Sequence, residues 1–375
     1  MQILLLARSD SIFSKEIVKH LSTKNVVFDL LDISHLRFFK FRQNKIDNKL
    51  LVPGLFTKNI FVRYVIGIPV VYLFLIKNKK KYDICHMMYK KLQYFFLIDL
   101  LINKYPKVIL SMFGSDYYKS TTKRIDPYIY EKVNYITFTN EEMKHNFDKF
   151  YKHKYHNKLR KCNFGLSHLD EIDKICKSEK KELSLERLKL KQNKIYIVCG
   201  TNASKNEQHE LIINSLSTIT LNNFSKKISC IFPLPYGASK SRIIKIMNMA
   251  KDKLPEIENV FILNKLSSQD IARLRRVTDI LINIRQTDQF SAAMTETMYA
   301  GNIIITGTWL PYKILDKNYV FYIKINTIDK LSKMIINSLE HLQEFKKKAR
   351  GNRNKIYKMC HWDNTIKQWN DLYKV

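Results

Sequence analysis

Glycine is scarce in this chain, nine residues in 375, and acid is outnumbered by base, 34 Asp and Glu against 65 Lys and Arg. The resulting charge of +31 biases partners toward anions: nucleic acid, acidic lipid headgroups or phosphorylated small molecules. The six cysteines form no C-x-x-C, and no histidine stands at zinc spacing beside them, which leaves out zinc ribbons and dithiol redox motifs. Several sit in apolar runs and read as buried, reduced thiols of a cytosolic protein. No apolar run is long enough to span a bilayer. The longest, Tyr64–Ile76, has 13 residues and holds Gly67 and Pro69, where a span needs about 20. The opening MQILLLARSD has no basic region before its short apolar run and reads as a first β-strand, not a signal peptide. Internal repeats and low-complexity segments are absent.

What is present is the composition of a folded globular protein, 45% hydrophobic and 12% aromatic, with length for two α/β domains. Short apolar runs alternate with helical patterns. The first series is 3–6, 26–31, 84–88, 108–112, 135–139 and 160–163; the second is 195–199, 228–232, 260–263, 280–284, 303–306 and 320–323. Such alternation predicts parallel sheets with crossover helices. Between the series, 168–194 is rich in Lys, Glu and Leu at helical spacing. The expected organisation is an N-terminal Rossmann-like domain over 1–167, a linker helix over 168–194, and a C-terminal Rossmann-like domain over 195–355. A final helix over 356–375, with Trp362, Trp369 and Tyr373 on one face, is expected to pack back across the domains.

The few glycines fall where strands end. Gly114, Gly165, Gly200, Gly237, Gly301 and Gly307 each follow a strand-like run or a helix, placements that suit tight turns or close approach of backbone to a ligand. In doubly wound folds ligands bind at the carboxyl ends of strands. The most informative stretch is LINIRQTDQFSAAMTETMYAGNIIITG, residues 281–307. A strand ends near Ile284, and a polar loop carries Arg285, Gln286, Thr287 and Asp288. A helix then begins at Ser291, Ala292 and Ala293, whose small side chains leave backbone N–H groups open to an anion such as a diphosphate. Glu296 follows on the same face.

Asp288, seven intervening residues, Glu296 and then Ala300-Gly301 resemble the acidic pair and small-residue turn of retaining GT-B glycosyltransferases of the family-4 type, with Asp in place of the usual first Glu. That resemblance implies two Rossmann-like, doubly wound parallel-sheet domains facing a cleft. It implies that Glu296 holds a donor ribose and that Asp288 approaches the transferred sugar. IYIVCG followed by TNASKNEQHELI is similar to the family's donor-diphosphate loop, placing Gly200, Asn202, Lys205 and His209 at the donor. Thr201 and Asn202 stand where the family's arginine would, so Arg285 is expected to supply a second charge, with Thr287 beside it. Leu266 is expected near the base. Asn202, Lys205, Gln208, His209 and FPLPYG (232–237) also resemble the transferases that use dTDP-linked 4-acetamidofucose.

In the first domain, VILSMFGSD (108–116) followed by Tyr117, Tyr118 and Lys119 resembles the fourth-strand turn of sugar transferases, with Phe113 where many relatives have His. Asp116 is the polar catalytic candidate there. Gly114, Ser115, Ser9 and Asp10 are the expected acceptor-side residues, Arg8–Ser11 replacing a glycine-rich first loop. The resemblance implies a UDP-, GDP- or dTDP-linked sugar as donor, a lipid-linked or surface-polysaccharide acceptor, no cofactor and no metal. The N-terminal part, residues 1–167, carries 30 Lys and Arg against 13 Asp and Glu. With LRFFKFRQNK (36–45) and the lysines 77 and 79–81 after the apolar stretch, it is expected to lie on an anionic membrane surface from the cytoplasmic side.

Structural readings compete at each position. Asp288 could cap a helix, Lys205 could be one more surface lysine, Asp116 could form a turn, and Glu296 could be a solvated helix residue. His86, in DICHMMY, reads as a structural histidine. A catalytically silent GT-B subunit, a nucleotide-sugar epimerase and a nucleic-acid-binding protein are the alternative functions. No recognition motif and no clustering of lysines supports nucleic acid.

Overall fold

A computed structural model describes residues 1–22, 25–42, 45–51, 60–118, 125–218, 224–288 and 290–374. Lys119 and the side chain of Ser115 lie outside what is described. The chain divides into two compact units: residues 1–165 with 365–375, and residues 166–364.

The first unit is built on an eight-stranded sheet of β1 (Gln2–Leu6), β2 (Val27–Asp32), β3 (Arg37–Arg42), β4 (Lys45–Leu50), β5 (Ile84–Met88), β6 (Lys107–Met112), β7 (Tyr135–Phe138) and β8 (Leu159–Lys161). Their order is β4-β3-β2-β1-β5-β6-β7-β8, parallel throughout except at the β2–β3 and β3–β4 pairings. The central strands are buried on both faces, which is why they read as unbroken apolar runs such as Ile3–Leu6. Of LRFFKFRQNK, expected at a membrane surface, residues 37–42 form β3 and Lys45 opens β4, while 43–44 lie outside the described residues. β3 pairs with β2 on one side and β4 on the other; Phe38 is buried, and Arg37 and Lys40 are exposed. Phe38 packs on Phe74 of the helix Ile60–Lys77, ring centroids 4.9 Å apart.

The apolar stretch is thus a helix whose Val71 and Leu75 enter the core while Ile66, Tyr72, Leu73 and Ile76 stay exposed. No described helix is long and apolar enough to cross a membrane. Residues 365–375 close the same core: Trp369 is fully buried and donates to the Asn163 carbonyl at 2.8 Å. His86 is fully buried between Ser111 Oγ (2.7 Å) and Tyr373 Oη (2.8 Å), a structural histidine.

The second unit carries a six-stranded, all-parallel sheet: β9 (Ile195–Cys199), β10 (Ile228–Pro233), β11 (Glu258–Ile262), β12 (Ile280–Asn283), β13 (Ile303–Gly307) and β14 (Ile323–Ile325), ordered β11-β10-β9-β12-β13-β14. The segment expected as a linker forms two helices, His168–Ser178 and Lys181–Arg187. Leu169, Ile172 and Ile175 of the first pack into the core beside Leu274, Val277, Met294 and Met298, so this segment is part of the unit.

Candidate functional site

Because β9, β12 and β13 are neighbours, three loops at their carboxyl ends meet. After β9 the chain turns at Gly200, whose φ of +71° is a left-handed conformation. A Cβ there would come within 3.1 Å of both Glu207 Oε2 and His209 Nε2, so only glycine fits. Gly237 has the same role in the neighbouring turn, where a Cβ would meet Asn202 Oδ1 at 2.7 Å. Asn202 is thereby held in the loop, donating to Glu207 (2.8 Å) and accepting from the Ser204 amide (2.9 Å).

Glu207, unmarked in the sequence, is the buried anchor of this corner, 1% exposed. It accepts from the Thr201 amide (3.0 Å), the Thr201 hydroxyl (2.8 Å) and the Arg285 guanidinium (2.6 Å). Arg285, expected to supply a second charge at the diphosphate, is the hub of an ion cluster. It also donates to Asp288 Oδ1 (3.1 Å) and Thr201 Oγ1 (2.7 Å). Burial disfavours its charge, but Glu207 and Asp288 outweigh that and raise its pKa further. Asp288 additionally accepts from the Tyr312 hydroxyl; burial first, and Asp288 next, push the Tyr312 phenol up, so it stays a donor.

The cation without a carboxylate partner among the described residues here is Lys205, exposed at the start of the turn Lys205–Glu207. Asn206 ties the two loops together through Thr287, accepting from its amide (3.0 Å) and donating to its carbonyl (2.8 Å). Ser291 caps the helix Ala292–Tyr299 by accepting from the Met294 amide, while Ala292 is exposed and Ala293 partly so. His209 opens the helix His209–Ser217, fully buried, its ring nitrogens without a hydrogen-bond partner among the described residues. Burial, then Arg242, drive its pKa down to about 4, so the ring is neutral at pH 7. Leu266 packs half-buried against the core.

Glu296 does not lie free on the helix face. It is 3% exposed, taking His168 Nδ1 at 2.8 Å on Oε1 and Arg275 Nε at 3.1 Å on Oε2. Burial would raise its pKa; His168 and Arg275 reverse that and hold it below the usual carboxylate range. Both partners escaped sequence reasoning.

In the first unit, the carboxyl ends of β1, β5 and β6 also adjoin. Ser9 is pinned by its amide and hydroxyl to Asp32 Oδ2, both at 2.7 Å, and Asp10 pairs with Arg8 at 2.6 Å. Asp116 is a backbone clamp: it accepts from the amides of Phe113 and Gly114, each at 2.9 Å, and of Lys90 at 3.0 Å. Burial outweighs these amides and raises its pKa. Gly114 turns with a φ of +114°. Lys91, absent from the sequence reasoning, donates to Ser34 Oγ (2.9 Å), and burial pushes it down to about 8. Neither set of strand ends gathers three metal-ligating side chains among the described residues.

No family profile matches this chain, and no curated protein does. Solved structures do. Sucrose-phosphate synthase of Thermosynechococcus elongatus is similar with a TM-score of 0.73 at 11% identity, over 100% of this chain and 98% of that one. HepE of Anabaena in complex with UDP gives 0.71 at 11% identity, over 100% of both chains. A glycosyltransferase of Rickettsia africae ESF-5 gives 0.70 at 13% identity, over 100% and 97%. The two α/β units with parallel sheets are those of the GT-B fold.

Proposed function

We propose that the chain is a nucleotide-sugar-dependent glycosyltransferase. The observation that carries this reading is the junction of three loops on β9, β12 and β13. There the N-terminus of the helix Ala292–Tyr299 and the exposed Lys205 flank a Glu207–Arg285–Asp288 cluster, on a fold also seen holding UDP in the Anabaena protein. In the proposed reaction the bond from the anomeric carbon to the donor phosphate breaks as a bond to an acceptor hydroxyl oxygen forms. The nucleotide diphosphate departs with the electron pair, and the acceptor hydroxyl's proton passes to the phosphate oxygen that the anomeric carbon vacates. Amides of the helix N-terminus and Lys205 stabilise the charge that develops there, which needs donors fixed in advance. Arg285 acts one step back, fixing Asp288 and the loop that launches the helix. In this reading Asp288, held by Tyr312 and Arg285, approaches the transferred sugar. The likeness to family-4 enzymes supports a retaining outcome.

The test is thermal stabilisation by UDP, GDP, dTDP, CMP and their sugars without added metal. A rise with one nucleotide class is expected; no rise with any of them would overturn the reading. Glu296→Ala is expected to weaken that nucleotide at least tenfold, about 1.4 kcal/mol. Glu296→Gln keeps the shape and isolates the charge. Unchanged affinity in a folded variant would remove Glu296 from the donor site.

The acceptor in this reading is a lipid-linked glycan at an anionic membrane surface. Support comes from the exposed Ile66, Leu73 and Ile76, on one face of the helix Ile60–Lys77, and from the exposed Lys77, Lys79 and Lys81 at its end. Leu73→Asp with Ile76→Asp is expected to lower co-sedimentation with phosphatidylglycerol vesicles at least tenfold. Equal sedimentation of variant and parent would remove this face from the membrane contact.

A further inference from the structure

The helix Glu141–Phe150 ends in a turn that leads through His156–Lys158 into β8, the edge strand of the first sheet. Near the helix end, Asp148 is only 7% exposed. Two imidazoles converge on its Oδ2, each through the same ring nitrogen: His153 Nδ1 at 2.9 Å and His156 Nδ1 at 2.7 Å. One oxygen and two nitrogens thus lie within 4.8 Å of one another. The other carboxylate oxygen, Oδ1, is buried without a hydrogen-bond partner among the described residues. The chain strains to make this arrangement, since Lys152 (φ +49°) and His153 (φ +62°) are successive left-handed residues and neither is glycine. The His153 amide donates to the Asp148 carbonyl at 2.8 Å, fixing the turn.

We propose that Asp148, His153 and His156 bind a divalent transition metal, with zinc its representative, as a clip across the turn that leads from the helix end to β8. Two imidazole nitrogens and one carboxylate oxygen suit zinc, nickel or copper; magnesium and calcium prefer oxygen alone. In a tetrahedral site with ligands about 2.0–2.2 Å from the metal, neighbouring ligand atoms stand roughly 3.3 Å apart, a spacing the cluster reaches by small ring rotations. The two histidine side chains are 65% and 63% exposed, so the remaining coordination positions open to water and the metal has a free path in. The D-x-x-x-x-H-x-x-H spacing hides in the sequence because its first ligand is an aspartate at a helix end. The metal lies outside the proposed donor chemistry and stabilises the first unit.

The experiment uses the untagged full-length protein, stripped with a chelator and dialysed. Zinc chloride is titrated calorimetrically, and cobalt(II) is added in parallel to read its visible absorption. One equivalent of zinc per chain, a raised unfolding midpoint and a cobalt band are expected. His153→Gln and His156→Gln should each weaken zinc at least tenfold, and the double variant should lose both the heat and the band. These two side chains are exposed, so the variants keep the fold where Asp148→Asn, at a buried position, could fail. Zinc bound with unchanged stoichiometry and affinity in the double variant, for instance through the partly buried Cys176, would overturn the proposal. So would the absence of both heat and cobalt band in the parent protein.

Discussion

Arg285→Met is expected to destabilise the second unit by about 3–5 kcal/mol and to abolish any stabilisation by donor nucleotide. The guanidinium is the only cation bonded to Glu207 and Asp288 among the described residues, and their side chains are 1% and 12% exposed. Removing one partner of a buried pair strands the other charge, which costs about 3–5 kcal/mol. For a unit of this size each kcal/mol moves the unfolding midpoint by roughly 2–4 °C, so a fall of about 6–20 °C is the expected reading by calorimetry. The double variant Arg285→Met with Glu207→Gln separates stranded charge from lost packing. An amide at 207 still accepts from Thr201, so at least half of the lost stability should return. Nucleotide stabilisation should stay absent in the double variant, because the loop ending in the Ser291 cap has lost its anchor. A loss below about 1 kcal/mol in the single variant, the median worth of an exposed pair, would show the cluster to be a solvated surface network.

That cluster also shows which parts of this protein are legible in its sequence. Each predicted strand run has its counterpart, because strands of a parallel sheet are buried on both faces and leave continuous apolar runs. The strand β3 was not among them: RFFKFR mixes Phe with Arg and Lys, so it leaves no continuous apolar run. Asp288, Ser291 and Glu296 could be singled out because they share one strand-loop-helix unit. Their partners could not. Glu207 meets Arg285 across 78 residues and His168 meets Glu296 across 128, contacts created by the order of strands and not by local spacing. Lone residues whose chemistry depends on burial, such as Lys91 and Asp32, leave no pattern at all. Arg285 shows the converse: its charge is visible in the sequence, but the two carboxylates that neutralise it are brought by the fold.

The first unit should lose stability in acid well before its carboxylates titrate, and His86 is the reason. The imidazole is fully buried, and burial drives its pKa down to about 3 from an ordinary value near 6.5. In the folded chain it stays neutral, with Nδ1 and Nε2 shared between the Tyr373 hydroxyl and Ser111 Oγ, which in turn bonds Thr137 Oγ1 at 2.6 Å. The unfolded chain takes up a proton below about pH 6.5 and the folded chain does not. The stabilisation is therefore fully present above that pH and is lost as the pH falls toward 3. One proton per molecule corresponds to about 1.4 kcal/mol per pH unit, so the loss reaches roughly 4–5 kcal/mol by pH 3. Since Tyr373 and Trp369 lie on the C-terminal helix, with the Trp369 ring 5.9 Å from His86, the helix should detach as the imidazole charges. Urea titrations at pH 7, 6, 5 and 4, followed by tryptophan fluorescence, measure the slope. His86→Gln, which carries no titrating group, is expected to be less stable at pH 7 yet to lose about one proton's worth of that slope. An unchanged slope in His86→Gln would mean that the ring is already accessible to protons in the folded chain, and that the acid sensitivity of this unit resides elsewhere.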